Sequence, residues 1–163
     1  MLEIGKELKV FGDSVVKGAK RNAKKFSNTG DLQHSIEYEL KVHKNSFSLS
    51  FYMTEYGIYK DEGVSGTKKK YNSRFSYSRS GPPIKVIEKW IRQKGIKGRD
   101  KKGRFIRNES LAFLISRSIK RDGIKPTKFF TKPFEQAFLK MPDKIVEAYG
   151  LDVDQWLEDT LNN

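Results

Sequence analysis

The sequence predicts an α+β fold in which a small antiparallel β-sheet packs against an N-terminal and a C-terminal helix. Three observations lead to this prediction. Apolar residues recur every three or four positions through residues 3–26, as in an amphipathic helix. They then alternate with polar residues through 36–42 and 46–53, as in two half-buried strands joined by a turn. Helical spacing returns after Pro133.

The N-terminal helix is predicted from an apolar stripe and a basic end. The stripe consists of Ile4, Leu8, Phe11, Val15 and Ala19. Cations crowd the last turns, where the helix dipole favours them. A break at 27–30 follows, and Asn28 or Thr29 is expected to cap a short turn at 31–34.

The stretch 56–63 follows the predicted hairpin and reads Tyr-Gly-Ile-Tyr-Lys-Asp-Glu-Gly. Tyr56 and Tyr59 are three residues apart and therefore share one face of a helical turn. Gly63 is suited to end that turn, because glycine tolerates positive φ. Both tyrosines are expected to be core or hinge residues.

After residue 63, two basic loops are predicted to alternate with two helices. Residues 64–83 show no periodicity, and a helix with Trp90 on its apolar stripe follows up to Gly95. The second loop, 95–107, leads to a helix over 108–121.

Nearer the C-terminus, we expect a short edge strand near 126–131 and a helix opened by Pro133. Pro142 is expected to interrupt that helix, and Asp152 to cap a final short turn. We predict one domain over residues 1–163, with 64–123 as a basic insertion and 142–163 as an acidic helical tail.

Charge is distributed unevenly along the 163 residues, whose net formal charge is +13. Residues 64–128 hold 20 Lys and Arg against 4 Asp and Glu, a net charge of +16. Residues 129–163 hold 3 basic and 7 acidic residues, a net charge of −4. Because opposite charges attract, the middle of the chain is expected to bind a polyanion or an acidic protein surface.

The two basic loops supply the candidate contact residues. These are Lys68, Lys69, Lys70, Arg74, Arg79, Lys97, Arg99, Lys101, Lys102, Arg104 and Arg107. They could bind nucleic-acid phosphates, with Tyr71, Phe75 and Tyr77 stacking on exposed bases. They could equally order against an acidic protein, and no helix-turn-helix, zinc or RNP-type motif favours base-specific recognition.

Composition excludes several other classes of protein. The absence of cysteine excludes disulfides and thiolate zinc sites. No apolar run reaches the length of a membrane span, and the N-terminus does not resemble a signal peptide, so we expect no membrane association and no export.

An enzyme is not expected, and neither is a cofactor or a metal. Neither histidine has the motif context of a hydrolytic triad. A metal-dependent nuclease built on Asp31, Glu39 and Lys41 is a weak alternative, because charged residues are ordinary on the solvent face of a strand.

Three short motifs, in order, make the chain resemble the neck, or tail-completion, proteins of tailed bacteriophages. Segment 29–36 resembles the family's Thr-Gly-x-Leu-x-x-Ser-Ile. Segment 56–63 is similar to Tyr-Ala-x-Tyr-x-Glu-x-Gly, with glycine for alanine and aspartate for glutamate. Segment 126–134 is similar to Pro-Phe-Leu-x-Pro-Ala. The matching positions are Thr29, Gly30, Leu32, Ser35, Tyr56, Tyr59, Asp61, Gly63, Phe129, Phe130 and Pro133.

The resemblance implies a non-enzymatic virion protein at the head–tail junction, present in the host cytoplasm during assembly. It covers residues 1–63 and about 124–141. Its implied partners are copies of itself in a ring, neighbouring connector and tail-tube proteins, and packaged DNA in the channel. The alternative is a sequence-nonspecific nucleic-acid-binding protein.

Overall fold

The computed structural model describes residues 2–26, 30–43 and 46–161. It confirms a small α+β fold, with seven helices and one two-stranded antiparallel sheet in the described residues. The elements are α1 Leu2–Ala23, α2 Asp31–Ser35, β1 Glu37–His43, β2 Ser46–Tyr52, α3 Tyr56–Glu62, α4 Ile84–Lys94, α5 Asn108–Asp122, α6 Thr131–Phe138 and α7 Met141–Leu161.

The chain forms two compact units. Unit 1 comprises the described residues of Met1–Gly57 and Lys128–Asn163, and unit 2 comprises Ile58–Thr127. The segment predicted as a basic insertion, 64–123, lies within unit 2.

Helix α1 provides the central face of unit 1. Its buried side chains are Phe11, Val15, Ala19 and Ala23, so the predicted stripe faces the core and extends one turn further. Gly18 lets α6 approach closely, because a β-carbon there would lie 2.8 Å from Cβ of Pro133. The spacing of the apolar residues therefore predicts both the helix and the face of it that is buried.

The predicted hairpin is confirmed, and its register pairs like with like. Leu40 lies opposite Leu49, and Tyr38 lies opposite Phe51. The Phe51 ring contacts Phe11 with a centroid separation of 6.2 Å and Phe134 with a separation of 5.9 Å. Period-two alternation thus places the aromatic face of the sheet against α1 and α6.

The prediction of an edge strand near 126–131 is wrong. Phe129 and Phe130 form the turn that enters α6, and Lys128 before them has a φ of +50°. The Phe129 carbonyl accepts a hydrogen bond from Nδ2 of Asn22 at 3.3 Å instead of a strand partner. A left-handed residue interrupts the extended backbone that a strand needs.

The prediction that Asp152 caps a separate last turn is also wrong. Helix α7 is continuous, and Asp152 lies inside it. Its carboxylate accepts hydrogen bonds from the backbone amides of Glu3 at 3.2 Å and Ile4 at 3.4 Å. Asp152 therefore caps the first turn of α1 from a different helix, where an acceptor is favourable.

Helix α7 packs on α1, and α6 is the C-terminal helix that faces the sheet. The break predicted at Pro142 falls earlier, at residues 139–140, and Pro142 occupies the first turn of α7, where proline is tolerated. Asn28 and Thr29, the predicted caps of α2, lie outside the described residues.

Unit 2 contains α4 and α5 packed together, most of α3, the loop 95–107, and a long loop that folds back on the end of α5. Ile91 and Ala112 are fully buried in it. The loop is attached through its backbone: Val64 pairs with Ile124, and the amide of Thr67 donates to the Lys120 carbonyl at 2.9 Å. The segment without periodicity is thus ordered by hydrogen bonds outside any regular strand.

Candidate partner-binding surfaces

The first motif of the neck-protein resemblance lies in the core of unit 1. Leu32 is buried beside Ile36 and Phe129. The Ser35 hydroxyl donates to the Leu32 carbonyl at 3.0 Å and accepts from the Thr54 amide at 3.1 Å, so it joins α2 to the segment after β2. Gly30, at a φ of +84°, precedes α2. Thr29 lies outside the described residues.

The second motif forms α3, as predicted, and Gly63 ends that helix at a φ of +75°. Asp61 is buried. Tyr56 and Tyr59 were expected to be core or hinge residues, and the core expectation is wrong, since both are exposed. The two tyrosines still differ, because the Tyr59 ring contacts Phe75 at 4.5 Å.

Gly57 departs from the family pattern, which has alanine there, and the structure gives a reason. A β-carbon on Gly57 would lie 2.7 Å from Sδ of Met53 and 2.9 Å from Cδ1 of Leu32. Those two side chains therefore occupy the space that the alanine methyl would need.

The third motif also has a structural role. Phe129 is 1% exposed, and its ring meets Phe26 edge-on at 5.5 Å. The Phe130 ring contacts Phe51 at 5.4 Å, and Pro133 is buried against α1. The described positions of the first and third motifs, and two of the four positions of the second, Asp61 and Gly63, are therefore structural.

The first basic loop uses several of its candidate cations internally. The Lys70 ammonium donates to the Gly66 carbonyl at 2.8 Å, and Nζ of Lys69 lies 3.7 Å from Asp122. The Arg74 guanidinium donates to Glu62 at 2.9 Å. Lys68 and Arg79 are exposed.

The aromatic residues of the first loop pack within unit 2. The rings of Phe75 and Tyr59 lie 4.5 Å apart, and the Arg74 guanidinium lies 4.9 Å from the Phe75 centroid. Tyr71 and Tyr77 are half-buried, and burial raises the pKa of the Tyr77 hydroxyl. This packing weakens the prediction that the three rings stack on nucleic-acid bases.

The second basic loop folds into a short hairpin, residues 97–107, called here the basic hairpin. Arg99 pairs with Phe105 across it, and Gly103 turns the tip at a φ of +79°. The Asp100 carboxylate accepts from the backbone amides of Lys102 at 2.8 Å and Arg104 at 2.9 Å. The turn is thus built around one acidic side chain, as in an Asx-turn.

The cations of the basic hairpin differ in how they are held. Arg104 Nε donates to Asp100 at 2.8 Å. The Arg99 guanidinium lies 4.0 Å from the Phe105 centroid and donates to the Gly103 carbonyl at 2.7 Å. Lys101 and Lys102 are exposed at the tip, and Lys97 and Arg107 are exposed where the two arms join the unit.

Sequence reasoning missed an apolar surface on unit 2. A groove of about 390 Å³, called here the α4–α5 groove, is lined by Ile84, Glu109, Ser110, Phe113 and Leu114. Trp90, predicted on a core stripe, is 40% exposed. The apolar residues of α4 form one broad stripe in which only Ile91 is buried, and the width of that stripe was the available signal of a surface patch.

Unit 1 has exposed surfaces of its own. A largely polar groove of about 480 Å³ lies between α1 and α6, and Arg21, Lys132 and Lys140 are among its lining residues. On α7, Val146 and Tyr149 are exposed, and Glu147 is exposed between them. The outer side of α7 is therefore acidic and apolar together.

Two of the three residues of the nuclease alternative, Glu39 and Lys41, contact each other. Lys41 Nζ lies 3.1 Å from Oε2 of Glu39, and the Tyr52 hydroxyl donates to the same oxygen at 3.2 Å. The hydrogen bond to Glu39 raises the pKa of the Lys41 ammonium. Among the described residues, no three His, Cys, Asp or Glu side chains are grouped closely enough to hold a metal ion.

Comparison of the chain with protein-family models, curated protein sequences and solved structures found no match. Within the part of the chain that the structure describes, no helix combines the length and apolar character needed to cross a membrane.

Proposed function

We propose that this chain is a neck, or tail-completion, protein of a tailed bacteriophage, which joins the capsid connector to the tail by assembling into a ring. The observation that carries the proposal is the position of the three motifs. Leu32, Phe129 and Pro133 are buried, and Gly63 has the positive φ that ends α3. Motifs at positions that specify a frame support a shared architecture more strongly than matches on a variable surface.

The distribution of charge supports contacts between copies. Unit 2 holds 20 Lys and Arg against 6 Asp and Glu, a net charge of +14. Helix α7 holds 6 acidic residues and 1 lysine, a net charge of −5. Surfaces of opposite sign on one chain favour head-to-tail association, and a head-to-tail interface generates a ring when its rotation closes.

Both the basic unit 2 and the acidic helix α7 also expose apolar residues. The α4–α5 groove exposes Phe113 and Leu114, and α7 exposes Val146 and Tyr149. Protein interfaces combine an apolar centre with a polar rim. An adaptor that contacts several neighbours needs more than one such surface, and each unit carries one.

Quantitative mass spectrometry of purified phage particles tests the proposal. We expect the chain to be present at a low, fixed copy number relative to the portal and tail-tube subunits. Absence from intact particles would contradict the proposal.

A groove variant tests which surface is used. Leu114→Asp places a charge in the α4–α5 groove, and we expect a folded protein that is not incorporated into particles. Leu139→Asp is the matched control, because Leu139 is 79% exposed and lies outside the groove. Equal incorporation of the two variants would exclude the groove as a docking surface.

A further inference from the structure

We propose that the basic hairpin binds duplex DNA through its phosphate backbone, with Lys101 and Lys102 at the tip as principal contacts. The inference goes beyond the proposed function and does not depend on it, since DNA binding can be measured on the isolated chain.

The basic hairpin presents a dense positive charge in an ordered form. Its 11 residues include six Lys and Arg and one acidic residue, a net charge of +5. The single acid, Asp100, accepts three hydrogen bonds from Lys102 and Arg104 within the turn. Because Asp100 holds the turn together, the tip lysines are directed outward from a formed scaffold, which lowers the entropic cost of binding.

The surface of the hairpin favours phosphates over an acidic protein. The centres of protein interfaces are enriched in aromatic residues and depleted of lysine. Here the main exposed apolar side chain is Phe105, and the Arg99 guanidinium lies over its ring. Protein–DNA interfaces are more polar and far more positive than protein–protein interfaces. The α4–α5 groove has the opposite character, so the two surfaces of unit 2 suit different partners.

The residue types at the tip predict binding without sequence preference. Lysine ammonium groups act as point charges toward phosphates, whereas base reading uses bidentate side chains, most often arginine on guanine and asparagine or glutamine on adenine. Neither asparagine nor glutamine occurs in 97–107, and the guanidinium groups of Arg99 and Arg104 donate within the turn to the Gly103 carbonyl and to Asp100. A two-stranded ribbon can follow a DNA groove. The expected signature is therefore affinity that falls steeply with salt and varies little with sequence.

Fluorescence anisotropy with a labelled duplex of about one to two helical turns tests the proposal. The variant Lys101→Glu/Lys102→Glu is compared with Lys24→Glu/Lys25→Glu, an exposed adjacent lysine pair of unit 1 with the same change in charge. We expect the hairpin variant to lose about tenfold or more in affinity and about 2 units of the salt-dependence slope. The control pair should lose no more than about threefold, the effect of a general change in charge.

Two further measurements distinguish DNA binding from a folding defect of the variant and from binding to acidic protein surfaces. Lys101→Gln/Lys102→Gln removes charge without reversing it and should give a smaller loss in the same direction, even if the reversal variant folds poorly. Polyglutamate serves as a probe for acidic protein surfaces. Equal losses in the hairpin and control variants, no DNA binding at all, or tighter binding of polyglutamate than of DNA would each overturn the proposal. None of these results would bear on the presence of the chain in particles.

Discussion

The two units are stabilised by different kinds of interaction. Unit 1 has a contiguous apolar core around Leu32, Ile36 and Phe129. Beside this core, five phenylalanine rings pack at centroid distances of 5.4 to 6.2 Å; they are Phe11, Phe51, Phe130, Phe134 and Phe138. Each such ring pair adds roughly 0.5–1.5 kcal/mol beyond the area it buries.

Unit 2 has little apolar core. Its buried apolar residues are Val64, Ile91 and Ala112. Much of its long loop is held by backbone hydrogen bonds to the end of α5, such as Thr67 to Lys120 and Lys68 to Arg121. Because few side chains of unit 2 are buried, its stability depends more on backbone hydrogen bonds and on the backbone conformation that allows them. Unit 1 should therefore be sensitive to loss of side-chain volume, and unit 2 to changes at its glycines.

The largest expected effect is in the core of unit 1. Phe129→Ala should destabilise the protein by about 3–5 kcal/mol, because it removes a fully buried ring and leaves a cavity. Chemical denaturation with a probe in unit 1 measures the change. Leu139→Ala, at a position 79% exposed, is the control and should stay within about 0.5 kcal/mol. A cost below about 1 kcal/mol for Phe129→Ala would contradict the packing described for unit 1.

This contrast also explains what could be predicted from the sequence. The period of the apolar residues predicted α1 and the hairpin, because in these elements of unit 1 the buried face and the period coincide. The register follows from the same alternation, with Leu40 opposite Leu49. Unit 2 offered no such period in 64–83, since its order comes from backbone contacts between distant residues such as Thr67 and Lys120.

Predictions failed where long-range contacts overruled local signals. Phe129 and Phe130 read as a strand from their composition, but the left-handed Lys128 and the fit of Phe129 into the core turn them into a helix entry. Asp152 read as a local cap and instead caps α1, 148 residues away from Ile4. A single sequence carries no signal for a partner at that separation.

The candidate surfaces were predicted in part. Composition located both basic loops but could not show which of their basic side chains form contacts within the protein. In the structure, Lys70 and Arg74 of the first loop are exposed but donate hydrogen bonds to Gly66 and Glu62, and Lys101 is exposed at the tip of the basic hairpin. The α4–α5 groove depends on which face of each helix is buried, and that is decided by tertiary packing.

A glycine variant should separate the two units. Gly123 has a φ of +73° and a ψ of −166°, a region that is nearly exclusive to glycine, and a β-carbon there would lie 2.2 Å from the Val64 carbonyl oxygen. Gly123→Ala should therefore cost more than the roughly 1–3 kcal/mol of backbone strain alone. We expect amide exchange to accelerate within Ile58–Thr127 while α1 keeps its protection.

Gly95→Ala is the matched control, because Gly95 also has a positive φ but no atom within 4 Å of the added β-carbon. It should cost only about 1–2 kcal/mol, the strain of a left-handed backbone. If Gly123→Ala released the amides of both units equally, the units would unfold together, and the contrast between them would not extend to their stability.

The smallest and most local effect concerns the turn of the basic hairpin. The amide and guanidinium of Arg104 lower the pKa of the Asp100 carboxyl below its ordinary value. A carboxyl with a lowered pKa contributes its stabilisation above the ordinary pKa and loses it as the pH falls through the lowered value. The turn should therefore keep its order from neutral pH down to the usual range of an aspartate and open only below it.

Asp100→Ala should open the turn at every pH, with little change in global stability because the carboxylate lies near the surface. Amide exchange at Lys102 and Arg104, followed by NMR against pH, measures this directly, and both amides should exchange faster in the variant. If DNA binding needs a formed turn, Asp100→Ala should weaken it although the variant gains one net positive charge. Stronger binding by that variant would show that charge alone, without the ordered turn, determines the affinity of the basic hairpin.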